Sequence, residues 1–309
     1  MTSSREVQVA CIQINSGPNV FKNLAKIESF LVQAAESNAQ LVLLPENFAQ
    51  MPNAAKQRHI EPWLASDADA ALAPVQEFIW RMAQQLKLTI IAGSLAVQVE
   101  PDSKPMARCF VVDHNGELIG LYDKIHLFDV DTGSGDEQIR YCESDDFCAG
   151  STDQLSKQLS KQLSNHQPSS IVDCSRGAHD IPINLGLSIC YDVRFPEWYR
   201  SLQRAGAHMM SVPAAFTYET GKEHWQVLLR ARAIENQCFV IAAGQCGEHA
   251  QASDPDKPRK TWGHSMIIDP WGKVLASLQG EEGLLISKID LTSRDKIIAR
   301  FPAVEHRRL

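Results

Sequence analysis

The sequence has no polybasic run, no membrane-length apolar stretch and no apolar core near its start. Its formal net charge is -7 over 309 residues, and its pI is about 5.8, which argues against a nucleic-acid-binding surface. No stretch approaches the roughly 18 apolar residues that a membrane helix needs. The first residues lack the apolar segment of a secretion signal. We therefore expect a cytoplasmic protein that binds neither nucleic acid nor membrane.

Glycine-rich nucleotide motifs and inter-domain linkers are also absent. We find no G-x-G-x-x-G or P-loop pattern, which argues against a nucleotide-binding fold. A length of 309 residues suits one large α/β domain or two smaller ones. Because no linker divides the chain, we predict a single domain over residues 1–309.

The eight cysteines of the sequence fall into distinct settings. Five lie in apolar or strand-like segments and are expected to be core thiols: Cys11, Cys109, Cys174, Cys238 and Cys246. Cys142 and Cys148 lie six residues apart in a polar loop without a histidine cluster, which disfavours a zinc site. A cytosolic address disfavours disulfides, and we expect no bound metal.

Apolar periodicity predicts strands and helices that are mixed along the whole chain. The predicted strands cover residues 7–14, 41–44, 88–99, 108–112, 118–122, 184–189, 208–212, 238–243, 265–268, 274–277 and 284–289. The predicted helices cover residues 19–38, 70–86, 197–205 and 222–236, the first of them capped by Asn19. Tight turns join several strands. The pattern therefore predicts a layered α/β sandwich with a mixed sheet.

One segment differs in composition from the rest. Residues 154–164 read QLSKQLSKQLS, a near-perfect four-residue repeat that places its leucines on one helical face. A short amphipathic helix is one interpretation. We favour the other, a low-complexity insertion in a surface loop near residues 151–168.

The stretch from Asn184 to Trp198 carries the strongest chemical signal. It reads NLGLSICYDVRFPEW, in which apolar residues alternate with small ones until Cys190 ends the strand-like pattern. Pro196 suits the first turn of a helix that starts shortly afterwards. Cys190 is therefore predicted at a strand end on a sharp bend, where an α/β fold places a nucleophile. A buried structural cysteine is the ordinary alternative.

Two other reactive side chains follow apolar segments in the same way. Glu46 follows LVLLP, and Lys124 follows LIGLYD. If the three strands are neighbours, the side chains project into one cleft, where burial raises the proton affinity of Glu46 and makes it a base for the Cys190 thiol. Lys124 would stabilise charge that develops on a carbonyl oxygen. Taken alone, a glutamate or lysine at a strand end is most often a solvated charge.

These segments resemble the nitrilase, or carbon–nitrogen hydrolase, superfamily over nearly the whole chain. The motifs that carry the resemblance are LVLLPENF, YDKIHLFDVD and GLSICYDVRFPE. It implies a four-layer αββα sandwich with mixed sheets, assembled as a homodimer or higher homo-oligomer and working without a cofactor. It also implies that Glu46 is the general base, Lys124 the oxyanion stabiliser and Cys190 the nucleophile. Glu143, in YCESDD, matches the second glutamate of the family.

Within the superfamily the sequence is most similar to the Nit-type amidases. The segments concerned are HWQVLLRARAIENQC, AAGQCG, WGHSMIIDPWG and the terminal EHRR. This similarity implies a small-molecule amide substrate, deaminated glutathione, which is a γ-amide of a 2-keto acid, hydrolysed through a thioester. Two alternatives stay open. One is an ω-amidase that acts on α-ketoglutaramate, and the other is a non-catalytic scaffold of the same fold.

Four residues are predicted to contact the substrate: Tyr191, Arg194, Phe216 and Thr220. The Tyr191 backbone N–H would help to hold the oxyanion. The Arg194 guanidinium would clamp the keto-acid carboxylate bidentately, or would instead pair with Asp192 or Glu197 and only hold the bend. The other two residues belong to the PAAFTYET loop and, by the resemblance, line the same pocket.

Overall fold

The computed structural model describes residues 5–54, 57–64, 71–132, 139–154, 170–174, 183–250 and 258–308. Within these ranges the strands are β1 (Glu6–Gln13), β2 (Leu41–Leu43), β3 (Glu61–Pro62), β4 (Thr89–Gln98), β5 (Met106–Val112), β6 (Leu118–Asp123), β7 (Asp129–Thr132), β8 (Ile139–Cys142), β9 (Ile171–Asp173), β10 (Asn184–Leu187), β11 (Met209–Ala214), β12 (Phe239–Gly244), β13 (Cys246–His249), β14 (Arg259–Trp262), β15 (Met266–Ile268), β16 (Val274–Ser277) and β17 (Gly283–Asp290). The α-helices are α1 (Val20–Glu36), α2 (Pro74–Leu86), α3 (Pro196–Arg204), α4 (Tyr218–Asn236) and α5 (Leu291–Arg300).

Two large mixed sheets form the centre of the molecule. The first has the order β17-β1-β2-β4-β5-β6, with β3 beside β4, and the second has the order β16-β15-β12-β11-β10-β9. Parallel strands occupy the middle of each sheet, β1-β2-β4 in one and β10-β11-β12 in the other, with antiparallel strands outside them. The mixed sheets predicted from the sequence are thus confirmed.

The first sheet is buried on both faces because its strands are apolar at successive positions. Val9 and Cys11 of β1 pack toward the second sheet, whereas Ala10 and Ile12 pack toward α1 and α2. Helices α3 and α4 cover the other side of the second sheet. Four layers result, in the order helix, sheet, sheet, helix, as the family resemblance implied.

Helix α2 begins at Pro74, later than the predicted residue 70, which lies outside the described residues. Proline lacks an N–H and fixes φ, so it is favoured in the first helical turn. The buried Glu61 carboxylate accepts hydrogen bonds from the N–H groups of Val75 (2.7 Å) and Gln76 (3.2 Å) and thereby caps the helix. A cap from a distant strand is not visible in the local sequence.

Helix α4 begins four residues earlier than predicted, at Tyr218 instead of Lys222. The first backbone hydrogen bond of the helix runs from the Gly221 N–H to the Thr217 carbonyl (2.8 Å). Glycine disfavours helix interiors, so the local sequence around Gly221 does not indicate a helix. Here the glycine is required, since a Cβ at this position would lie 2.3 Å from Cβ of Trp262.

The eight cysteines are free thiols, and the five that were predicted to be core residues are buried. The predicted insertion lies largely outside the described residues, and its first part, Thr152–Gln154, forms one 3₁₀ turn. Among the helices of the described ranges, none combines the length and apolar character that a bilayer crossing requires.

Candidate active site

Glu46 lies just beyond β2 and is held from several sides. Gly93, at an irregularity of β4, makes room for the preceding residue, because a Cβ on Gly93 would come within 1.9 Å of the Pro45 carbonyl oxygen. The Glu46 carboxylate is 4% exposed and accepts a hydrogen bond from the Ala215 N–H (Oε2, 2.7 Å). Its backbone carbonyl accepts one from Gln245 Nε2 (3.0 Å). The backbone and the carboxylate of Glu46 are therefore both fixed.

Lys124 follows β6 and carries its ammonium between two carboxylates. Its Nζ lies 2.8 Å from Oε1 of Glu46 and 2.8 Å from Oε2 of Glu143, and the side chain is 2% exposed. Backbone bonds anchor the residue on both sides, from its N–H to the Ala107 carbonyl (3.0 Å) and from Gly150 N–H to its carbonyl (2.8 Å). The ammonium is thus rigidly presented inside the pocket.

Glu143 begins a 3₁₀ turn directly after β8. Both of its oxygens contact Lys124 Nζ, at 2.9 and 2.8 Å, and Oε2 also accepts the Phe128 N–H at 2.7 Å. The second glutamate expected from the YCESDD segment therefore lies beside Lys124. The intervening residues 133–138 are outside the described residues.

Cys190 begins a short 3₁₀ helix, Cys190–Arg194, with two residues between it and the end of the second-sheet strand β10. Its φ of 46° lies in the left-handed region, which non-glycine residues rarely adopt. Pro196 then occupies the first turn of α3. The predicted strand end, sharp bend and following helix are confirmed, and the thiol is 7% exposed.

Asp192 joins the Cys190 bend to the lysine segment. Its fully buried carboxylate accepts the Ile189 N–H (Oδ2, 2.7 Å) and the Tyr122 hydroxyl (Oδ2, 2.8 Å). Nδ1 of His126 lies 2.7 Å from Oδ1. Because Tyr122 and His126 flank Lys124 at two residues on either side, one carboxylate ties together the segments that carry the lysine and the cysteine.

The charges of the site depend mainly on Lys124. Burial alone would raise the pKa of Glu46, but the ammonium of Lys124, with hydrogen bonds from Lys124, Cys190 and Ala215, holds it below its usual range. Burial would lower the pKa of Lys124, yet the carboxylates of Glu143 and Glu46 hold it well above its ordinary value. The resting site therefore contains an ionised glutamate and a charged lysine.

The Cys190 thiol is neutral in this environment. Burial raises its pKa well above the ordinary value, and the negative charge of Glu46 raises it further, against the opposing effect of Lys124. A thiolate can form there only if its proton passes to a neighbouring base. The ionised Glu46 carboxylate, which lines the same pocket and whose charge acts on the thiol, is that neighbour.

Two expectations from the sequence were wrong in their physical details. The strands that precede Glu46, Lys124 and Cys190 are not neighbours, because β2 and β6 are separated by β4 and β5, and β10 belongs to the other sheet. The side chains meet because the two sheets face each other and end at the same edge. The proton affinity of Glu46 is also lowered rather than raised, since burial, the largest single effect, is outweighed by the Lys124 charge and the hydrogen bonds to the carboxylate acting together.

The triad lies at the bottom of a pocket of about 730 Å³, including its open mouth. The four residues that were predicted to contact the substrate all line this pocket: Tyr191, Arg194, Phe216 and Thr220. Residues for which no substrate contact was predicted line it as well: Asn47, Arg58, Phe128, Tyr141, Cys142, Asp146, Phe147, Ala215, Thr217 and Arg259. Some of the additional residues, such as Asn47 and Phe128, belong to motif segments already identified, whereas Arg58 and Arg259 come from segments that no local motif marks.

Arg194 faces the pocket rather than the carboxylates of the bend. Its Nη1 lies 3.2 Å from Nδ1 of His224, and its Cζ lies 5.1 Å from the ring centre of Phe216. The alternative pairing with Asp192 or Glu197 is not observed, because Asp192 is engaged by the lysine segment. Phe216 precedes α4, and Thr220 lies in its first turn instead of in a loop.

The pocket lies at the edge of two stacked sheets and contains a thiol, a carboxylate and an ammonium. This combination is typical of enzymes that transfer acyl groups through a cysteine. The carbon-nitrogen hydrolase family model matches residues 8–298. The chain belongs to this family and is an enzyme that hydrolyses carbon–nitrogen bonds.

Individual relatives agree with this assignment. The deaminated glutathione amidase of Synechocystis sp. strain PCC 6803 is 39% identical over 96% of this chain and 97% of its own length. The protein of the same name from Yersinia enterocolitica is 37% identical over 98% of this chain and 94% of its own length. The crystal structure of Saccharomyces cerevisiae Nit3, a member of branch 10 of the nitrilase superfamily, shares the fold, with a TM-score of 0.76 at 24% identity over 98% of this chain and 97% of that one.

Proposed function

We propose that the protein is a cysteine-dependent amidase that works through a thioester on Cys190. The observation that carries the proposal is the contact of Lys124 Nζ with Glu46 (2.8 Å) in the pocket that the Cys190 thiol also lines. A non-catalytic scaffold has no use for this arrangement, because burying three ionisable groups is costly.

In the acylation half, Glu46 takes the thiol proton while the sulfur attacks the amide carbon. The tetrahedral oxyanion is stabilised by the Lys124 ammonium and by the N–H of Tyr191, which lies in the first turn of a 3₁₀ helix. Glu46 then gives its proton to the departing nitrogen. The C–N bond breaks, the amine leaves and a thioester remains.

In the deacylation half, Glu46 removes a proton from water, which attacks the thioester carbon. The C–S bond breaks, the acid product leaves and the thiol recovers its proton from Glu46. Glu143 has the supporting role of keeping Lys124 charged and in position. Glu46 therefore acts as the base, Lys124 as the oxyanion donor and Cys190 as the nucleophile. Glu143 holds Lys124 in place.

The proposed substrate is deaminated glutathione, the γ-amide of a 2-keto acid with a dipeptide leaving group. Support comes from the names of the two relatives and from the Arg194 guanidinium, which lines the pocket and suits a keto-acid carboxylate. Phe216 would pack on the substrate carbons, and Thr220, whose Oγ1 lies 2.7 Å from that of Thr217, would bond a polar end. An ω-amidase acting on α-ketoglutaramate is the second candidate.

Release of amine and ammonia from a panel of amides tests this proposal. We expect the highest kcat/KM with deaminated glutathione, a lower value with α-ketoglutaramate and the lowest with propionamide. Arg194→Lys should raise KM for both keto-acid amides much more than for propionamide, whereas Arg200→Lys, in α3 and outside the pocket, should change none. A wild-type preference for α-ketoglutaramate would favour the ω-amidase. An equal effect of Arg194→Lys on all amides would show that Arg194 does not bind the keto-acid carboxylate.

The same proposal includes a single domain over residues 1–309, a cytoplasmic location and assembly into a homodimer or higher oligomer. The family match over residues 8–298 supports the single domain. Exposed aromatic side chains support assembly, since Trp271 and Phe301 are 57% and 56% exposed and their rings contact each other at 6.0 Å. Sedimentation velocity tests it, because a monomer at micromolar concentration would contradict assembly.

A further inference from the structure

The charged residues of the pocket do not balance each other. Lys124 is paired with two glutamates, and Arg58 is paired with Asp146 (3.3 Å). Arg194 and Arg259 also line the pocket, yet within the described ranges neither forms an ion pair with a carboxylate. Charges in a partly closed pocket are costly unless they meet an opposite charge. The guanidinium groups of Arg194 and Arg259 are therefore both available to bind a ligand. The proposed function uses only Arg194, which binds the keto-acid carboxylate of the substrate.

Arg259 is held in a geometry that leaves part of its guanidinium unsatisfied. It begins β14 opposite His249 of β13, and its Nη2 donates to the Ala215 carbonyl at a long 3.4 Å. Its Cζ lies 5.4 Å from the ring centre of Tyr141. Its Nε is buried and lacks a hydrogen-bond partner among the described residues. Such a donor in a pocket wall is suited to an anionic acceptor.

The position of Arg259 relates it to the reacting atoms. The residue whose carbonyl it contacts, Ala215, donates its own N–H to the catalytic carboxylate of Glu46. Arg194 lies on a different part of the wall, over the rings of Phe216 and Tyr191. Two guanidinium groups on separate parts of one wall fit a ligand that carries a carboxylate at each end.

We propose that Arg259 binds a second substrate carboxylate, on the leaving-amine side of the scissile bond, so that the enzyme selects dianionic amides. This inference rests on the proposed function and narrows its substrate class. In deaminated glutathione the second carboxylate is that of the terminal glycine, whereas α-ketoglutaramate, which releases ammonia, has none. Arg259 would therefore be the residue that discriminates between the two candidate substrates.

A double-mutant cycle across enzyme and substrate tests this. The substrates are deaminated glutathione and the same molecule with its glycine carboxylate converted to a carboxamide, and the enzymes are wild type and Arg259→Gln. Loss of a charge-assisted hydrogen bond predicts that either change alone lowers kcat/KM about 10- to 100-fold, and that both together lower it little further. Hydrolysis of α-ketoglutaramate by Arg259→Gln should stay close to that of wild type.

Lys260→Gln is the matched control. It removes a positive charge from the next residue of the same strand, where the ammonium is 47% exposed and lies near Glu248. Its kcat/KM for both glutathione-derived substrates should be unchanged. An Arg259→Gln enzyme that loses activity equally on both substrates, or on neither, would overturn the inference while leaving the proposed function intact. A wild-type enzyme inactive on every keto-acid amide would reject both.

Discussion

The Lys124 ammonium lies 2.8 Å from a carboxylate oxygen of Glu46 and 2.8 Å from one of Glu143. This contact reverses the effect of burial on Glu46, whose pKa is held below its usual range. The base is therefore ionised before substrate arrives. Glu46 is then protonated only during catalysis, when the Cys190 thiol, whose own pKa is raised, gives up its proton as the sulfur attacks the substrate.

The lowered pKa of Glu46 gives a definite pH dependence. A group with a depressed pKa stays functional until the pH falls through that lowered value, so the acid limb of kcat/KM for propionamide should lie below about pH 4.3, where an ordinary glutamate titrates. A neutral amide is used because its own charge does not change. An acid limb near pH 6 would contradict the charge assignment.

Lys124→Met removes both the oxyanion donor and the charge that keeps Glu46 ionised. We expect kcat to fall by at least 10²- to 10³-fold, corresponding to about 3 kcal/mol or more. Because two buried carboxylates then face each other, one should bind a proton, and alkylation of Cys190 by iodoacetamide should acquire an acid limb above about pH 4.3. A variant that changes only KM would make Lys124 a substrate-binding residue instead.

At this scale the sequence was informative where chemistry is encoded in a local motif. Glu46, Lys124 and Cys190 each follow a recognisable strand-end segment, Glu143 was indicated by the family motif alone, and the structure brings all four together. Arg259 carries no such signal. Its relation to the pocket depends on the pairing of β14 with β13 and on a contact with Ala215, both of which are set by the fold.

At the scale of secondary-structure elements, the Asp192 carboxylate couples the Cys190 bend to the end of β6. Asp192→Asn keeps the shape but weakens this coupling, so kcat and the alkylation rate of Cys190 should fall about 10-fold or more, with little change in KM. Tyr122→Phe, which removes one of the hydrogen bonds, should have a smaller effect on both rates. Asp192→Asn with a lower melting temperature but wild-type rates would reduce Asp192 to a stabilising role.

The element boundaries show which signals are local and which are not. The Asn19 cap of α1 was predicted, and its side chain accepts the Lys22 N–H. The start of α4 was missed because Gly221 serves a tertiary contact with Trp262. Helix α5 and the antiparallel pairs β13-β14 and β7-β8 were not predicted, since their segments are short and depend on packing for stability.

At the scale of the whole molecule, the two sheets pack closely against each other between β6 and β9. A Cβ on Gly120 of β6 would lie 2.2 Å from Cγ2 of the fully buried Val172 of β9. Gly120→Ala should therefore lower the free energy of unfolding by about 1–3 kcal/mol, measured by urea denaturation. Adding Val172→Ala should recover part of that loss, and strictly additive losses would contradict the close approach.

A layered α/β sandwich with a mixed sheet was accessible from the pattern of strands and helices, whereas the four αββα layers were implied by the family resemblance. The sequence did not predict how the two sheets pack against each other. The site is formed by residues from both sheets at one shared edge, and neighbouring strands within one sheet, which we expected, do not create it.

The central claim is that Cys190 becomes acylated by the amide substrate. Rapid-quench mass spectrometry during turnover of deaminated glutathione tests it most directly. The account predicts a mass increase equal to the keto-acyl group on the peptide that contains Cys190, removable by hydroxylamine and absent in Cys190→Ala, which should retain the wild-type melting temperature and lose turnover. A transient adduct on any other residue, or turnover by Cys190→Ala, would contradict the account.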